Sequence, residues 1–382
     1  MESIREIEKT GCVFVGNVIT GMIYKICQKC CMDTSDPYIR FDEQGICNHC
    51  ASYGPKEYKR RAEVLHPGKT WTFYELKKAG EGKQYDCLLG LSGGVDSSLC
   101  LHYLVENGIR PLTYSVDNGW NTKESDENIM RLVETLKVPF QRIVLDIPKF
   151  RELQEAFIRS GTANLEIPTD HILTATSYEL AVKYGIKHII SGGNISTEGI
   201  MPAGWGYQPR DLTFIKGVYR KIMGKKLTGL PTFSLKQYLW HRFIRKTKIV
   251  YLLDFYEYNR EKAKQLLNKT YGWIDYGEKH CENRFTKWFQ ECYLPIIFGF
   301  DKRRAHYSSL INSGQITREQ ALIKIREPLT ACGLSKEILS KLNIPRLEVF
   351  PKKTYKDYPN AEWQWNLLSK VYGNLKRFLH QR

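Results

Sequence analysis

Four cysteines near the start of the chain have the spacing of a metal site. Cys27 and Cys30 form one C-x-x-C pair, and Cys47 and Cys50 form a second pair after sixteen intervening residues. Each pair can present two thiolates to one ion, and two pairs complete the tetrahedral shell that zinc prefers. The spacing predicts a zinc ribbon. A labile iron–sulfur cluster and four unligated thiols are the alternatives, and Cys31 is a possible substitute ligand.

His49 is a second possible substitute ligand, but the four-cysteine set needs no distortion. The chain has eleven cysteines in all. A reducing compartment favours metal ligation over disulfides for such a set. The cysteines outside the two pairs stand singly, and most of them are predicted to be core residues. These are Cys12, Cys87, Cys100, Cys281, Cys292 and Cys332.

A second chemical signal is the string Ser92-Gly93-Gly94-Val95-Asp96-Ser97. Its glycines leave backbone N–H groups open to a ligand, its serines add hydroxyl donors, and a helix predicted to follow would point its positive N-terminus at the same place. We therefore predict a phosphate-binding loop, which differs from a Walker A loop because it has no lysine. Asp96 is a candidate Mg²⁺ ligand, since a carboxylate beside phosphates needs a bridging cation.

The elements around this loop alternate between strand and helix patterns. Strands are predicted at Tyr85–Leu91, Pro111–Val116, Phe140–Leu145 and Lys187–Ser191. Helices are predicted at Ser98–Glu106, Thr122–Leu136, Lys149–Ser160 and Thr169–Tyr184. This alternation predicts an α/β fold with a doubly wound parallel sheet. Ligands of such sheets bind outside the carboxyl ends of the strands, so the site is expected at Ser92–Ser97, Asp117–Asn121 and Gly192–Glu198.

The strand, the loop and the helix together resemble the PP-loop ATP pyrophosphatases, which cleave ATP between the α and β phosphates. We call residues Ser92–Ser97 the PP-loop. Further strings resemble one branch of that superfamily, the bacterial N-acetyl sugar amidotransferases of surface-polysaccharide biosynthesis. The resemblance runs from about Met22 to about Leu322. Besides the cysteine pairs and the loop, it rests on Met32–Thr34, Phe41–Gly45, Asn164–His171, Ser191–Asn194, Phe298–Arg303 and Ser313–Gln315.

The resemblance implies a PP-loop α/β domain with an N-terminal zinc ribbon and a mainly helical C-terminal region. It implies an ATP-dependent, AMP-forming amidotransferase that uses Mg²⁺ and carries structural zinc. The implied substrate is a nucleotide-linked acetamido sugar of lipopolysaccharide O-antigen or other surface-glycan biosynthesis. Its N-acetyl group would be adenylated and then converted to an acetamidino group, with release of AMP and pyrophosphate.

The resemblance also implies roles for individual residues. ATP would be bound by Ser92, Gly93, Gly94, Asp96, Ser97, Asp117, Asn118, Gly192, Gly193 and Asn194. Catalysis would involve Asp96, Lys279, Glu282 and Lys287, and an anionic substrate would contact Lys302 and Arg303. The chain departs from the family at Cys281, where a second histidine is expected, and at Met1–Gly21, which precedes the family's usual start.

Four regions follow from these assignments. We expect an extension of uncertain role at 1–21, the zinc ribbon at 22–55, the PP-loop ATP-binding domain at 56–215, and a basic segment with a helical domain at 216–382. In the last region, Thr317–Gln320 has the pattern of a capping box that starts a helix. A terminal helix is predicted at about Ala361–Leu379.

The net charge of +16 comes largely from one segment. Lys216–Val250 contains ten basic residues and no acidic residue. The simplest interpretation is a solvated basic loop, and the others are a lid over a phosphate-bearing substrate, an anionic membrane surface or RNA. Hydrophobic content of 42% excludes a disordered chain, and no apolar run is long enough to span a bilayer. We expect a cytoplasmic protein with at most transient membrane contact.

The source of nitrogen and the class of substrate leave alternatives. No nucleophilic cysteine stands in the context of a glutaminase, so we expect a separate glutaminase subunit to supply ammonia. The rival hypothesis is a tRNA thiolase, which would need sulfur-carrying cysteines near the loop, and beyond the ribbon there is no C-x-x-C pair. Nucleic acid is therefore not the expected partner. A non-catalytic nucleotide fold is the remaining alternative.

Overall fold

The computed structural model describes residues 24–55, 68–206, 208–279, 281–346 and 350–379. The extension at 1–21 lies outside these ranges, as does His280. The sheet has five strands, all parallel, in the order β3-β2-β1-β4-β5. They are β1 (Cys87–Gly90), β2 (Pro111–Asp117), β3 (Phe140–Val144), β4 (His188–Ser191) and β5 (Lys248–Tyr251).

Helices connect the strands as a parallel sheet requires. Through the PP-loop region they are α1 (Gly68–Gly80), α2 (Val95–Glu106), α3 (Lys123–Leu136), α4 (Ile147–Arg159), α5 (Ile167–Lys183) and the short α6 (Ile195–Glu198). The predicted parallel α/β sheet is thus confirmed, with strands one to four and the helices after β1, β2 and β3 within about three residues of their expected bounds.

The region after the fourth strand is mainly helical, as predicted. Its α-helices are α7 (Leu212–Met223), α8 (Leu235–Leu239), α9 (Arg260–Tyr271), α10 (Arg284–Trp288), α11 (Arg303–Asn312), α12 (Arg318–Arg326), α13 (Ser335–Lys341) and α14 (Glu362–Leu379). Two of them continue as π-helical turns, α8 through Trp240–Ile244 and α10 through Phe289–Phe298. Thr317 starts α12 with the predicted capping box. No described helix is long and apolar enough to cross a membrane.

Alternation along β1 explains why both faces of the sheet are covered. Cys87 and Leu89 lie in a core cluster with residues of α2, α3 and α9. Leu88, between them, packs on the other face with residues of α5. Because successive strand residues point to opposite faces, an unbroken apolar strand requires helices on both sides. The core therefore forms two layers around β1.

The basic segment is folded, so its interpretation as a solvated loop is wrong. The segment forms part of α7, all of α8 and the edge strand β5, which pairs with β4 in the register Ile189 to Ile249. The guanidinium of Arg245 donates to the backbone carbonyls of Ala181 and Ile186. The boundary expected at 215/216 falls inside α7, and the sheet extends beyond it because β5 comes later in the chain.

Two cysteines that were predicted to be separate core residues, Cys292 and Cys332, form a disulfide. Cys292, in the π-helical part of α10, and Cys332, in a 3₁₀ turn at Ala331–Leu334, form a disulfide across 40 residues. The expectation of two separate core thiols is therefore wrong for this pair. The sequence did not indicate this contact, because α11 and α12 lie between the two cysteines in the chain and only tertiary packing brings them together.

Candidate functional site

The sheet reverses its strand order between β1 and β4, and the predicted loops meet there. β1 pairs with β2 on one side and with β4 on the other. The loop after β4 approaches the PP-loop so closely that a Cβ on Gly192 would lie 3.1 Å from the backbone nitrogen of Ser97. Ligands of open α/β sheets bind in this kind of crevice.

The backbone of the PP-loop is held in a shape that only glycine accepts. Gly93 has a φ of +75°, and a Cβ there would lie 2.1 Å from the carbonyl oxygen of Ser125. The carbonyl oxygen of Gly93 accepts hydrogen bonds from Asn128 Nδ2 at 3.3 Å and from Trp273 Nε1 at 3.1 Å. These contacts fix the turn between β1 and α2.

The serines of the loop organise its donors. The backbone N–H of Gly94 donates to Ser92 Oγ at 3.2 Å, and the backbone N–H of Ser92 donates to Ser97 Oγ at 3.3 Å. The N–H of Val95, the first residue of α2, donates to the hydroxyl of Tyr276 at 3.3 Å. These three N–H groups therefore donate to hydroxyls in the free protein, at the positive end of a helix, where phosphate is a favoured replacement acceptor.

Asp96 lies at the centre of a charged network. Its Oδ2 is 2.8 Å from Lys279 Nζ, and the hydroxyl of Tyr258 donates to its Oδ1. Lys279 Nζ is also 2.8 Å from Glu198 Oε1 and from Thr197 Oγ1. Burial lowers the pKa of Lys279, but the charges of Asp96 and Glu198 outweigh burial and raise it overall. Lys279 therefore stays protonated at neutral pH.

Glu282 lies against the PP-loop from the opposite side. A Cβ on Gly94 would lie 3.2 Å from Glu282 Oε1. The backbone carbonyl of Glu282 accepts from the N–H of Thr122 at 3.0 Å, which ties this segment to the start of α3. Burial raises the pKa of Glu282 to about 7. Its Oε2 has no hydrogen-bond partner among the described residues.

The loop after β2 supplies two of the predicted residues. Asp117 Oδ1 accepts from the N–H of Gly119 at 2.9 Å. Asn118 Oδ1 accepts from the N–H of Trp120 at 3.2 Å and from Asn283 Nδ2 at 3.4 Å. Asn118 thereby joins the sheet edge to the segment that carries Glu282.

The loop after β4 ends in a side-chain cap. Asn194 Oδ1 accepts from the N–H of Thr197 at 2.9 Å, and its Nδ2 donates to the carbonyl of Gly192 at 3.3 Å. Gly193 N–H donates to Ser191 Oγ at 3.2 Å. The cap directs α6 so that Thr197 and Glu198 reach Lys279.

Lys287 and Cys281 lie together on the far side of Glu282. The Sγ of Cys281 is 3.9 Å from Glu291 Oε1, and burial raises the thiol pKa to about 11. The charge of Lys287 acts on both Cys281 and Glu291 by lowering their pKa values. The charge of Lys287 therefore acts on Cys281 and Glu291, and no described contact joins Lys287 to Asp96.

The two residues predicted for an anionic substrate have different surroundings. Arg303 is bound by both carboxylate oxygens of Asp301 and donates to carbonyls at the end of α12, including Ile325 at 3.0 Å. Lys302 makes no salt bridge within 4 Å among the described residues. Burial lowers its pKa. Arg303 is thus committed to packing, whereas the ammonium of Lys302 remains available.

Two acidic residues, the half-buried Glu166 and the more exposed Asp170, lie near Lys302 in a string that the sequence analysis singled out without a role. Burial raises the pKa of Glu166 to about 8 and that of Asp170 to about 6. Glu166 Oε2 accepts from Thr286 Oγ1 at 3.2 Å, whereas its Oε1 has no described partner. Burial and mutual repulsion thus keep Glu166 protonated near neutral pH.

The four predicted zinc ligands converge. The Sγ atoms of Cys27, Cys30, Cys47 and Cys50 all lie within 4.8 Å of one another, and all four residues are buried. The two possible substitutes are engaged elsewhere. Cys31 Sγ contacts the carbonyl of Arg304 at 3.3 Å, and His49 Nε2 lies 2.6 Å from Asp36 Oδ2. Four thiols in this arrangement fit one tetrahedral zinc ion.

The cysteine cluster is docked on the helices after residue 300. Arg304, on α11, pairs with Asp33 Oδ2 at 2.9 Å and donates to the carbonyl of Cys31 at 2.8 Å. Arg318, on α12, donates to the carbonyls of Cys27 and Cys30 at 3.1 Å each. The ribbon thus stabilises the helix that carries the residues just after Lys302.

Several residues of the site were not identified from the sequence. Glu198 stands at the end of the loop Gly192–Glu198, which was predicted to face the crevice. The sequence therefore indicated where Glu198 lies, but not that it pairs with Lys279. Tyr258, Tyr276 and His306 carried no signal, because isolated aromatic residues in helical patterns are more often core residues.

Part of the chain aligns with an uncharacterized protein, MJ1599, of Methanocaldococcus jannaschii. The two are 31% identical over 168 residues, which cover 42% of this chain and 57% of that protein. The chain therefore spans little more than half the length of this relative. The relative's description names no activity.

Two solved structures are similar at a low level. One is an NH3-dependent NAD synthetase from Campylobacter jejuni in complex with the nitrate ion, with a TM-score of 0.31 and 18% identity over 66% of this chain and 93% of that one. The other is an NMN synthetase from Francisella tularensis, with a TM-score of 0.27 and 17% identity over 58% and 93%. Scores this low carry no argument, so the fold assignment rests on strand order and loop geometry.

The helical region matches a known family model. The model describes the C-terminal domain of LPS biosynthesis proteins of the WbpG-like type and covers residues 282–372. It begins at Glu282, beside the PP-loop, and ends within α14. The resemblance to surface-polysaccharide proteins is thus confirmed over these residues. Residues 282–372 of this chain are therefore similar to the C-terminal domain of WbpG-like LPS biosynthesis proteins.

Proposed function

We propose that this protein is an ATP-dependent amidotransferase of surface-glycan biosynthesis. The observation that carries the proposal is the contact between two parts of the chain. The first residue of the WbpG-like domain, Glu282, lies against Gly94 of the PP-loop, and Lys279 just before it pairs with Asp96. The proposed ATP-binding loop and the region similar to an LPS biosynthesis domain therefore share one crevice.

The PP-loop residues are the proposed triphosphate site. Backbone N–H groups at the start of α2, with the hydroxyls of Ser92 and Ser97, would bind the phosphates that leave as pyrophosphate. Asp117 and Asn118 would face the nucleoside from the end of β2. Asp96 and the phosphates together fit Mg²⁺, which would neutralise charge between them. Lys279 would then stabilise the charge that develops on the transferred phosphate.

The reaction begins with attack by the amide oxygen of an acetamido sugar on the α-phosphorus of ATP. The bond between the α-phosphorus and the bridging oxygen to the β-phosphate breaks, and pyrophosphate leaves. The amide nitrogen loses its proton, which gives an imidate bonded to AMP. Glu282, whose pKa is about 7, is suited to accept that proton. Ammonia then adds to the imidate carbon, and AMP leaves with the C–O bonding electrons.

The sugar is proposed to carry a nucleotide, whose phosphates would meet the ammonium of Lys302. A separate glutaminase subunit is the proposed source of ammonia. Lys287 stays a predicted catalytic residue, through its charge beside Cys281 and Glu291.

Mass spectrometry tests the reaction directly. The zinc-replete protein would be incubated with Mg-ATP, ¹⁵N-ammonium chloride and a panel of nucleotide-linked acetamido sugars. Incorporation of ¹⁵N into one sugar, with equal amounts of AMP and pyrophosphate, is the expected result. An Asp96→Asn variant should form neither product, and a Glu134→Gln variant, altered on the exposed side of α3, should match the wild type.

The rival tRNA thiolase gives a different outcome in the same assay. In that case AMP would form only with tRNA and a sulfur donor, and the sugars would remain unchanged. That result would contradict the amidotransferase proposal.

A further inference from the structure

A cavity of about 60 Å³ lies beside the PP-loop, on the other side of Lys279. It is lined by Thr197 and Glu198 of α6 and by Lys302 and His306 at the start of α11. Lys279 lines it too, and the same ammonium contacts Asp96 at 2.8 Å. At about 15 Å³ for each water-sized molecule, the cavity has room for about four of them.

His306 lines this cavity, and its two ring nitrogens have different surroundings. Its Nδ1 lies 3.1 Å from the carbonyl oxygen of Thr197, and a carbonyl only accepts, so Nδ1 carries the ring proton. The lone pair is therefore on Nε2, which is buried and has no described partner. Burial, and then the charge of Lys279, lowers the pKa of His306 to about 4. The ring is neutral at physiological pH.

The charges around the cavity compensate one another. Three ion pairs account for most of them: Glu198 with Lys279 at 2.8 Å, Glu278 with Lys324 at 3.1 Å, and Arg303 with Asp301 at 2.8 Å. Glu278 also lies 3.7 Å from the guanidinium of Arg260, which faces His306 as well. Burial lowers the pKa of Lys302 and raises that of Glu291, because the surrounding protein removes water from both charged groups. A small neutral molecule with an N–H or O–H donor fits this setting better than an ion.

We infer that this cavity receives neutral ammonia and that His306 Nε2 positions it by accepting a hydrogen bond from one of its N–H groups. The inference rests on the proposed function and names the place from which its nucleophile arrives. With an N–H group directed at Nε2, the nitrogen lone pair is free to face a reacting carbon. Removal of water destabilises a charged form relative to its neutral form, which lowers the pKa values of Lys302 and His306. The same effect favours ammonia over ammonium.

The chemistry balances without a further reactant. The ammonia lone pair forms a C–N bond to the imidate carbon, and one proton moves from the new nitrogen to the imidate nitrogen. The C–O bond to AMP then breaks, and its electron pair leaves with AMP. The product is the amidinium cation. His306 is a positioning residue in this sequence, since its ring carries no net charge before or after.

A binding experiment tests the site without any transfer reaction. The full-length protein, with its histidines labelled with ¹⁵N, would be titrated with ammonium chloride at several pH values, and the His306 signals would be assigned with a His306→Gln variant. The Nε2 signal should shift saturably with the concentration of free ammonia. Sodium chloride at the same ionic strength should give no shift, nor should neutral trimethylamine, which has no N–H group.

No saturable shift, or a shift that follows ammonium rather than ammonia as the pH changes, would overturn the inference. His102, on α2, is the internal control, because its Nδ1 already lies 2.7 Å from the hydroxyl of Tyr271. Its signals should not move with ammonia.

Kinetics separate the inference from the proposed function. ATP–pyrophosphate exchange reports adenylation, which needs the sugar but no ammonia. We expect His306→Phe to raise the KM for ammonia about tenfold, as for one lost hydrogen bond, with exchange retained. His306→Gln, which keeps an acceptor, should recover most of the affinity, and His102→Gln should match the wild type.

If His306→Phe raises the KM for the sugar in the exchange reaction and leaves the KM for ammonia unchanged, the cavity holds the amide and the inference is wrong. The wild type could instead bind ammonia at His306 while none of the acetamido sugars supports pyrophosphate exchange. In that case the proposed function fails and the ammonia site stands.

Discussion

Lys279 Nζ lies 2.8 Å from Asp96 Oδ2 although the two residues are 183 positions apart in the chain. The contact joins the PP-loop to the segment that precedes residues 282–372, which match the WbpG-like domain model. It also places a cation where Mg²⁺ and phosphates are expected. In the free protein Lys279 compensates the charge of Asp96, and we expect the incoming nucleotide to share it.

Loss of Lys279 should impair adenylation more than folding. In Lys279→Met, Asp96 and Glu198 lose their common cation, and the transferred phosphate loses a charge-assisted donor. We expect pyrophosphate exchange to fall by roughly 100-fold or more, which is typical for one oriented donor at a transition state. Lys324→Met, which removes the partly exposed cation paired with Glu278, is the matched control. Equal exchange rates in both variants would contradict this role.

The PP-loop should not accept a side chain at Gly93. Gly93 and Gly82 both have positive φ, at +75° and +68°, but only Gly93 has a backbone atom within 4 Å of an added Cβ. We expect Gly82→Ala to cost about 1–2 kcal/mol in unfolding free energy, from backbone strain alone. Gly93→Ala adds a clash with Ser125 and should abolish exchange. Urea denaturation and exchange rates measure the two effects, and a Gly93→Ala variant with normal exchange would contradict the loop assignment.

Zinc should stabilise the C-terminal helices as well as the ribbon. Arg304 and Arg318 bind backbone carbonyls of the cysteine loop, so loss of the metal should loosen α11 and α12. We expect one zinc per chain by elemental analysis, and faster amide hydrogen exchange in 303–326 after chelation. Cys30→Ser should reproduce the chelated state, whereas Cys87→Ser, in β1, should retain zinc. Bound iron, or no metal at all, would contradict the assignment.

The buried carboxyl of Glu166 should make stability depend on pH. Burial raises its pKa from the usual 4.5 to about 8, so the folded protein binds a proton that the unfolded chain releases. Stability from this group is therefore present below about pH 4.5 and is lost as the pH rises towards 8, by at most about 1.4 kcal/mol for each unit. Glu166→Gln should flatten this decline in urea denaturation between pH 5.5 and 8.

Glu134→Gln, on the exposed side of α3, should keep the decline of the wild type. If Glu166→Gln follows the wild-type curve throughout, the carboxyl is ionised in the folded protein.

Substitutions of the neighbours Lys302 and Arg303 should have different effects, because Lys302 is proposed to bind substrate and Arg303 stabilises the fold. Arg303→Met breaks a buried pair with Asp301 and should cost about 3–5 kcal/mol in unfolding free energy. Lys302→Met removes an ammonium without a salt bridge among the described residues, so it should leave the melting temperature nearly unchanged and raise the KM for the nucleotide sugar. The reverse pattern would show that Lys302 is the structural residue.

Local spacing was sufficient to predict the features of this protein that form between residues close together in the chain. The two C-x-x-C pairs, the PP-loop string and the capping box at Thr317 each act over a few residues, so their geometry follows from residue type and spacing. The alternation of strands and helices similarly predicted a parallel sheet, because crossover connections leave few other arrangements.

Contacts between distant segments were decided only by the tertiary structure. The edge strand β5, the Cys292–Cys332 disulfide and the commitment of Arg303 to Asp301 and α12 depend on how later helices pack. The cavity at His306 depends on α6 and α11 meeting beside Lys279. No local pattern encodes such meetings, because burial and the pairing of charges arise from packing of the whole chain. The sequence by itself thus determined the fold class and the candidate ligand-binding loops, and packing determined which side chains complete the candidate site.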